Sequence, residues 1–165
     1  MKKLKIIVLF LSVFCFYGCP IEDEGFPIQS SLYEPVTMLR AEFENTTEIL
    51  PAQPIVNSGK IYIKDHLLFI NETYEGFHVF DNSDPSNPTN IAFLKVLGSK
   101  DLAIKEDILY VNNSVDLIAI KPNFSNSSIE ITKRIKNSFP QPISPDGFTF
   151  YVEEDQIIVN WTLIN

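Results

Sequence analysis

Asp81, Ser83, Asp84 and Asn87 place four oxygen-bearing side chains in the stretch FDNSDPSNPTNIAFL, Phe80 to Leu94. Oxygens this dense are what a hard cation such as calcium takes as ligands. An EF-hand loop counted from Asp81 needs Gly at its sixth position and Glu at its twelfth. Ser86 and Ala92 stand there, so that motif fails. A turn accounts for every residue: Asp81 ends a strand, short Asp, Asn and Ser side chains bond turn backbone, and Pro85 and Pro88 stop strand pairing. The expectation is a structural loop, with Asp81, Ser83, Asp84 and Asn87 as the only candidates for a metal.

The other groups able to do chemistry are few. His66 lies at an expected turn beside Asp65, and His78 lies mid-strand in GFHVF. Two histidines twelve residues apart with no cysteine between them do not form a zinc signature. His78 is expected to face a neighbouring sheet or a groove. No G-x-S-x-G, glycine-rich phosphate loop or H-E-x-x-H occurs, so the usual catalytic frames are missing. Glu153, Glu154 and Asp155 are consecutive, as in a solvated hairpin tip. No catalytic residue and no cofactor is implied, and the chain is read as a non-enzyme.

The elements that position these groups begin with MKKLKIIVLFLSVFCFYGC. Lys2, Lys3 and Lys5 precede an apolar run, Ile6 to Tyr17, and Gly18 stands before Cys19. This is the layout of a secretory signal, shorter than the roughly 20 apolar residues of a spanning helix. Gly18-Cys19 makes it resemble a bacterial lipoprotein signal, with Phe16 where leucine is usual. The resemblance implies cleavage of residues 1–18 and a lipid on Cys19; ordinary cleavage near Gly18 is the alternative. Cys15, the other cysteine, has no small residue before it. With Cys19 acylated no disulfide can form, and packing must hold the fold.

Loss of Lys2, Lys3 and Lys5 without any acid takes the net charge from −8 to −11. An acidic surface repels phosphate backbones, so nucleic acid is not an expected partner. Glu22, Asp23 and Glu24 follow Cys19 closely. That cluster resembles the surface-export signal of Bacteroidetes lipoproteins, or is simply a solvated tether. The expected address is the cell envelope, as an outer-membrane lipoprotein, with the lipid as membrane contact and a second copy or an envelope protein as a possible partner.

Residues 19–35, rich in proline, glycine and serine, read as a tether. In TMLRAEFENTTEIL, Thr37 to Leu50, good helix formers suggest a short helix, followed by an extended connection through Pro51 and Pro54 to residue 58. From Gly59 onward, short apolar runs separated by turn clusters every 8–12 residues read as an all-β chain of hairpins. IYIKDHLLFIN (Ile61–Asn71) aligns with LAIKEDILYVN (Leu102–Asn112) at a shift of 41. GFHVFDNSDPSNPTNI (Gly76–Ile91) aligns with DLIAIKPNFSNSSIEI (Asp116–Ile131) at a shift of 40. Each unit thus supplies four strands in a period common to propeller blades. LLFI and LIAI are apolar at every residue, so both faces of those strands need cover.

Val79-Phe80-Asp81 followed by Ser83-Asp84-Pro85-Ser86-Asn87-Pro88 resembles the LVIVD repeat of bacterial surface and secreted proteins. The second copy is degenerate: Ile120-Lys121-Pro122 lacks the Asp and the Asn-Pro. Residues 32–161 also look like the first part of longer Bacteroidetes lipoproteins with this repeat, thought to be propeller-like. The resemblance implies a fold and an address but no catalytic residues. The expected architecture is two four-stranded antiparallel propeller-like blades, residues 59–98 and 99–138, with residues 139–165 as a C-terminal hairpin or the start of a third. The expected role is a binding or scaffold module. The alternatives are a glycan-handling accessory or enzyme whose site further blades or a partner would complete, and a fragment without function.

Overall fold

A computed structural model describes residues 30–164. The expected signal segment, Cys15, Cys19 and most of the expected tether lie outside the described residues. The described residues form eleven strands and one turn of helix: β1 (Tyr33–Leu39), α1 (Arg40–Phe43), β2 (Glu48–Leu50), β3 (Ser58–Lys64), β4 (Leu67–Glu72), β5 (Gly76–Asp81), β6 (Thr89–Lys95), β7 (Leu102–Lys105), β8 (Ile108–Asn113), β9 (Asp116–Asn123), β10 (Ser128–Ile135) and β11 (Gln156–Leu163). They make three antiparallel sheets, none closed: β2-β6-β5-β4-β3, β10-β9-β8-β7 and the ribbon β1-β11.

The repeat is visible in the turns. Asp65 and Glu106, equivalent under the 41-residue shift, both take a left-handed backbone, with φ of 53° and 54°. Each opens a two-residue connection between apolar strands, β3–β4 and β7–β8. Short polar side chains tolerate that conformation better than β-branched ones. Gly76 opens β5 at φ 152°, where a Cβ would lie 2.2 Å from the Leu94 carbonyl oxygen. Only glycine lets β5 approach β6 at that point.

The five-stranded and four-stranded sheets pack face to face. Phe69, Phe77, Val79 and Leu94 from the first meet Leu109, Val111, Ile118 and Ile120 from the second in one buried cluster. Tyr62 meets Phe77 edge-on, with ring centroids 6.2 Å apart. A smaller core joins Phe43, Val115, Ile157 and Val159 where the ribbon covers the β8–β9 turn. Phe43 is fully buried, with the Arg40 and Arg134 guanidinium carbons 6.0 and 5.6 Å from its ring centroid. Both arginines then reach Asp116. Its carboxylate accepts from Arg40 Nη1 at 2.9 Å, Arg134 Nη1 at 2.8 Å and the Asn137 amide at 3.0 Å. Burial opposes its charge, but these donors outweigh burial and hold the carboxyl below its ordinary value.

Three expectations about the ends are corrected. The tether does not run to residue 35, because Tyr33, Glu34 and Pro35 already pair with Leu163, Thr162 and Trp161. The expected helix shrinks to Arg40–Phe43. Thr37, Met38 and Leu39 pair with Ile158, Ile157 and Gln156, and Glu48–Leu50 pair with β6. Helix propensity is a weak preference, and strand pairing that builds an apolar core overrides it. The C-terminal hairpin does not form: FTFYV, Phe148 to Val152, is not a strand, and β11 pairs with β1 instead. The first repeat also differs from a four-stranded unit, since β2 adds a fifth strand at its β6 edge.

Candidate functional site

The oxygen-rich loop is where the repeat places it, between β5 and β6, with Ser83 to Thr89 exposed. Asp81 Oδ1 accepts from the Ser83 amide at 2.9 Å and from Ser83 Oγ at 2.6 Å. Asp84 Oδ1 accepts from the Ser86 amide at 3.0 Å, and its carbonyl from the Asn87 amide at 2.9 Å. The Ser83 hydrogen bonds hold the Asp81 carboxyl below its ordinary value. The loop's carboxylates are thus turned onto their own backbone. Among the described residues no three His, Cys, Asp or Glu side chains gather as a metal site.

The two histidines are not brought together. His66 sits in the β3–β4 turn, where its carbonyl accepts from the Asn82 amide at 2.7 Å. His78 is buried, with 1 % of its surface exposed, on the floor of a cleft of about 890 Å³. Three segments wall this cleft: a strap over residues 51–57, the β4–β5 turn, and the ribbon residues Tyr33, Asn160 and Trp161. The strap exists because β2 and β3 lie at opposite edges of the five-stranded sheet. The chain must cross that sheet's outer face to join them. Asn90 Nδ2 donates to the Gln53 carbonyl at 2.8 Å and holds it there.

Glu72 fastens the far end of the strap. Its carboxylate accepts from the Val56 amide at 2.9 Å and closely from the Asn57 amide, and it faces His78 Nε2 at 2.9 Å. Register explains the meeting. Glu72 pairs with Gly76 and Ile70 with His78, so Glu72 and His78 share one face, one rung apart. Burial raises the cost of the Glu72 charge, but the Val56 amide, His78 and the Asn57 amide outweigh it and hold the carboxyl below its ordinary value. An ionised Glu72 offers only acceptors, so His78 must carry its proton on Nε2 when neutral. Nδ1 is then a bare acceptor. It is buried and has no partner among the described residues. The His78 ring lies 4.9 Å from that of Phe93.

The ribbon brings a second unspent nitrogen to the same cleft. Trp161 Nε1 is buried without a partner among the described residues, and its ring packs on Phe150 at 5.4 Å. The neighbouring charges are already engaged. Glu75 Oε1 accepts from Asn160 Nδ2 at 2.6 Å, Lys100 Nζ lies 4.6 Å over the Tyr74 ring, and Lys60 pairs with Asp101 at 2.5 Å. Among the lining residues, His78 and Trp161 each carry a buried side-chain nitrogen, Nδ1 and Nε1, with no partner among the described residues. A buried polar atom without a partner costs stability.

Of these residues the sequence singled out only His78. Glu72 was legible in principle: a β4–β5 turn centred on Tyr74 sets 72 opposite 76 and brings 78 onto the same face. Trp161 was not, because the ribbon depends on a strand more than a hundred residues away. Set against family models, curated proteins and solved structures, the chain matches none.

Proposed function

We propose that the chain is a lipid-anchored binding module of the bacterial cell envelope, built on two propeller-like units and holding an uncharged ligand in the His78–Trp161 cleft. The observation that carries the binding reading is the pair of buried, unpartnered nitrogens, His78 Nδ1 and Trp161 Nε1, on two residues that line one cleft. A donor and an acceptor set among aromatic faces suit a ligand with hydroxyl or amide groups and a flat apolar side. Neutral oligosaccharides have that chemistry. The anchoring reading is supported by the lysines, the apolar run and Gly18-Cys19 at the start of the chain. No described helix is long and apolar enough to cross a membrane.

Trp161 is the chain's single tryptophan, so its fluorescence reports on the cleft directly. Titration with soluble α- and β-linked neutral oligosaccharides is expected to give a saturable change with at least one of them, abolished in His78→Phe. No saturable change with any, or an equal change in the variant, contradicts the reading.

The Glu72–His78 pair favours one second reading. A carboxylate that orients an imidazole is half of a general-base arrangement. No described nucleophile reaches Nδ1, so an enzyme would need its reacting group from the substrate or from a partner.

A further inference from the structure

The two large sheets stack front to back. Under the repeat, Leu109, Val111, Ile118 and Ile120 correspond to Leu68, Ile70, His78 and Phe80. The first four are buried against the five-stranded sheet. The second four lie on the opposite, outer face of that sheet, because Phe69, Phe77 and Val79 alternate with them and point into the core. The reverse also holds. Phe69, Phe77 and Val79 correspond to Tyr110, Leu117 and Ala119, which lie on the far face of the four-stranded sheet. One sheet offers its front to the other's back, and the same two kinds of face remain open at the ends of the stack.

Both open faces carry exposed apolar side chains, and the far face of the four-stranded sheet also carries exposed Lys105, Lys121, Glu130 and Lys133. On the five-stranded sheet Ile61 and Ile63 are 61 % and 66 % exposed, beside half-buried Leu68, Ile70 and Phe80. The strap covers the His78 end of this face and leaves the Ile63–Phe80 end free. On the four-stranded sheet Tyr110 and Ile135 are exposed next to Leu117. Phe139 and Ile143 flank them across a groove of about 730 Å³.

We propose that the chain associates head to tail with a second copy of itself, the Ile63–Phe80 face of one copy seating on the Tyr110–Leu117 face of the next. The occupant follows from the fold. Away from the His78 end, which the strap covers, the residues of each open face are equivalent to residues on one side of an interface the chain already makes, and one chain carries both sides. Such a contact is heterologous: it uses different patches on the two copies and leaves each end free to add another. The repeat also names a specific contact. Phe69 and Ile104 line the same end of the space between the sheets, and their equivalents are Tyr110 and Ile63. Tyr110 of one copy is therefore expected beside Ile63 of the next.

The test uses full-length chains in the membranes of expressing cells. One carries Ile63→Cys and the other Tyr110→Cys, both at exposed positions, and a short bismaleimide is added. Co-expression is expected to give a crosslinked dimer several-fold above either variant alone and above the wild-type background from Cys15 and Cys19. A chain carrying both substitutions is expected to give a ladder. A mixture no different from wild type overturns the proposal. So does dimer formation by Ile63→Cys alone as strong as in the mixture, since that marks a symmetric contact. Protease resistance matching wild type confirms that the variants fold, and sedimentation of the wild-type chain in mild detergent must show a mass that rises with concentration.

Discussion

His78 Nε2 lies 2.9 Å from Glu72 Oε2, and the same carboxylate holds the amides of Val56 and Asn57. One side chain therefore orients the imidazole and pins the strap that walls the cleft. Glu72→Gln keeps the shape and removes the charge. It is expected to lower stability by about 1–3 kcal/mol, the range for charge-assisted hydrogen bonds at a buried group, read from denaturant midpoints.

The same carboxylate contributes to the acid limb. Its folded value lies below the ordinary 4.5, so its contribution is fully present above the unfolded value and is lost as pH falls through the folded one. Stability measured from pH 6 down to about 3 should therefore fall less steeply in Glu72→Gln than in wild type. Parallel curves would remove Glu72 from the acid transition.

Asp116 is the other charge the fold depends on. Its side chain is fully buried and bonded by Arg40, Arg134 and the Asn137 amide. Asp116→Asn leaves two guanidinium groups without their shared carboxylate. Breaking a buried pair from one side costs about 3–5 kcal/mol, so a large drop in the unfolding midpoint is expected. A drop within experimental scatter would show that water replaces the carboxylate freely.

The strands of the two repeats were legible because their signal is local. Short apolar runs, turn residues and the 41-residue shift all lie within a few tens of positions, and Asp65 and Glu106 take the same backbone conformation as the alignment requires. Lone apolar runs such as LLFI implied cover on both faces. Leu68 and Ile70 are nonetheless only half covered, and this open face is the one that a second copy would take. The misreadings fall on Thr37–Leu50, whose strand partners are distant, and on Phe148–Val152, which is not a strand. Thr37 pairs with Ile158 across the whole chain, and no window of sequence contains both. The cleft was hidden for the same reason, since His78 and Trp161 come from different sheets.

The Asp81–Pro88 loop is expected to ignore calcium. Its carboxylates already accept from the Ser83 and Ser86 amides. Melting with and without millimolar calcium should give one midpoint. A rise that disappears in Asp81→Ala and Asp84→Ala would establish a cation site there.

Cys19 is expected to be the anchor. Mass spectrometry of the mature chain should find a lipid-modified Cys19 at the N-terminus, and Cys19→Ser should leave the membrane fraction. A mature N-terminus elsewhere, or a variant that stays with the membrane, contradicts this.

The binding claim is tested most directly at Trp161, whose single indole N–H has no partner among the described residues. In a nitrogen–proton spectrum of the isotopically labelled chain this group gives one side-chain indole resonance. On addition of the oligosaccharide that changes Trp161 fluorescence, the resonance should move downfield and saturate as the N–H gains an acceptor. A resonance that stays in place while the ligand binds would put the ligand elsewhere and contradict the account of the cleft.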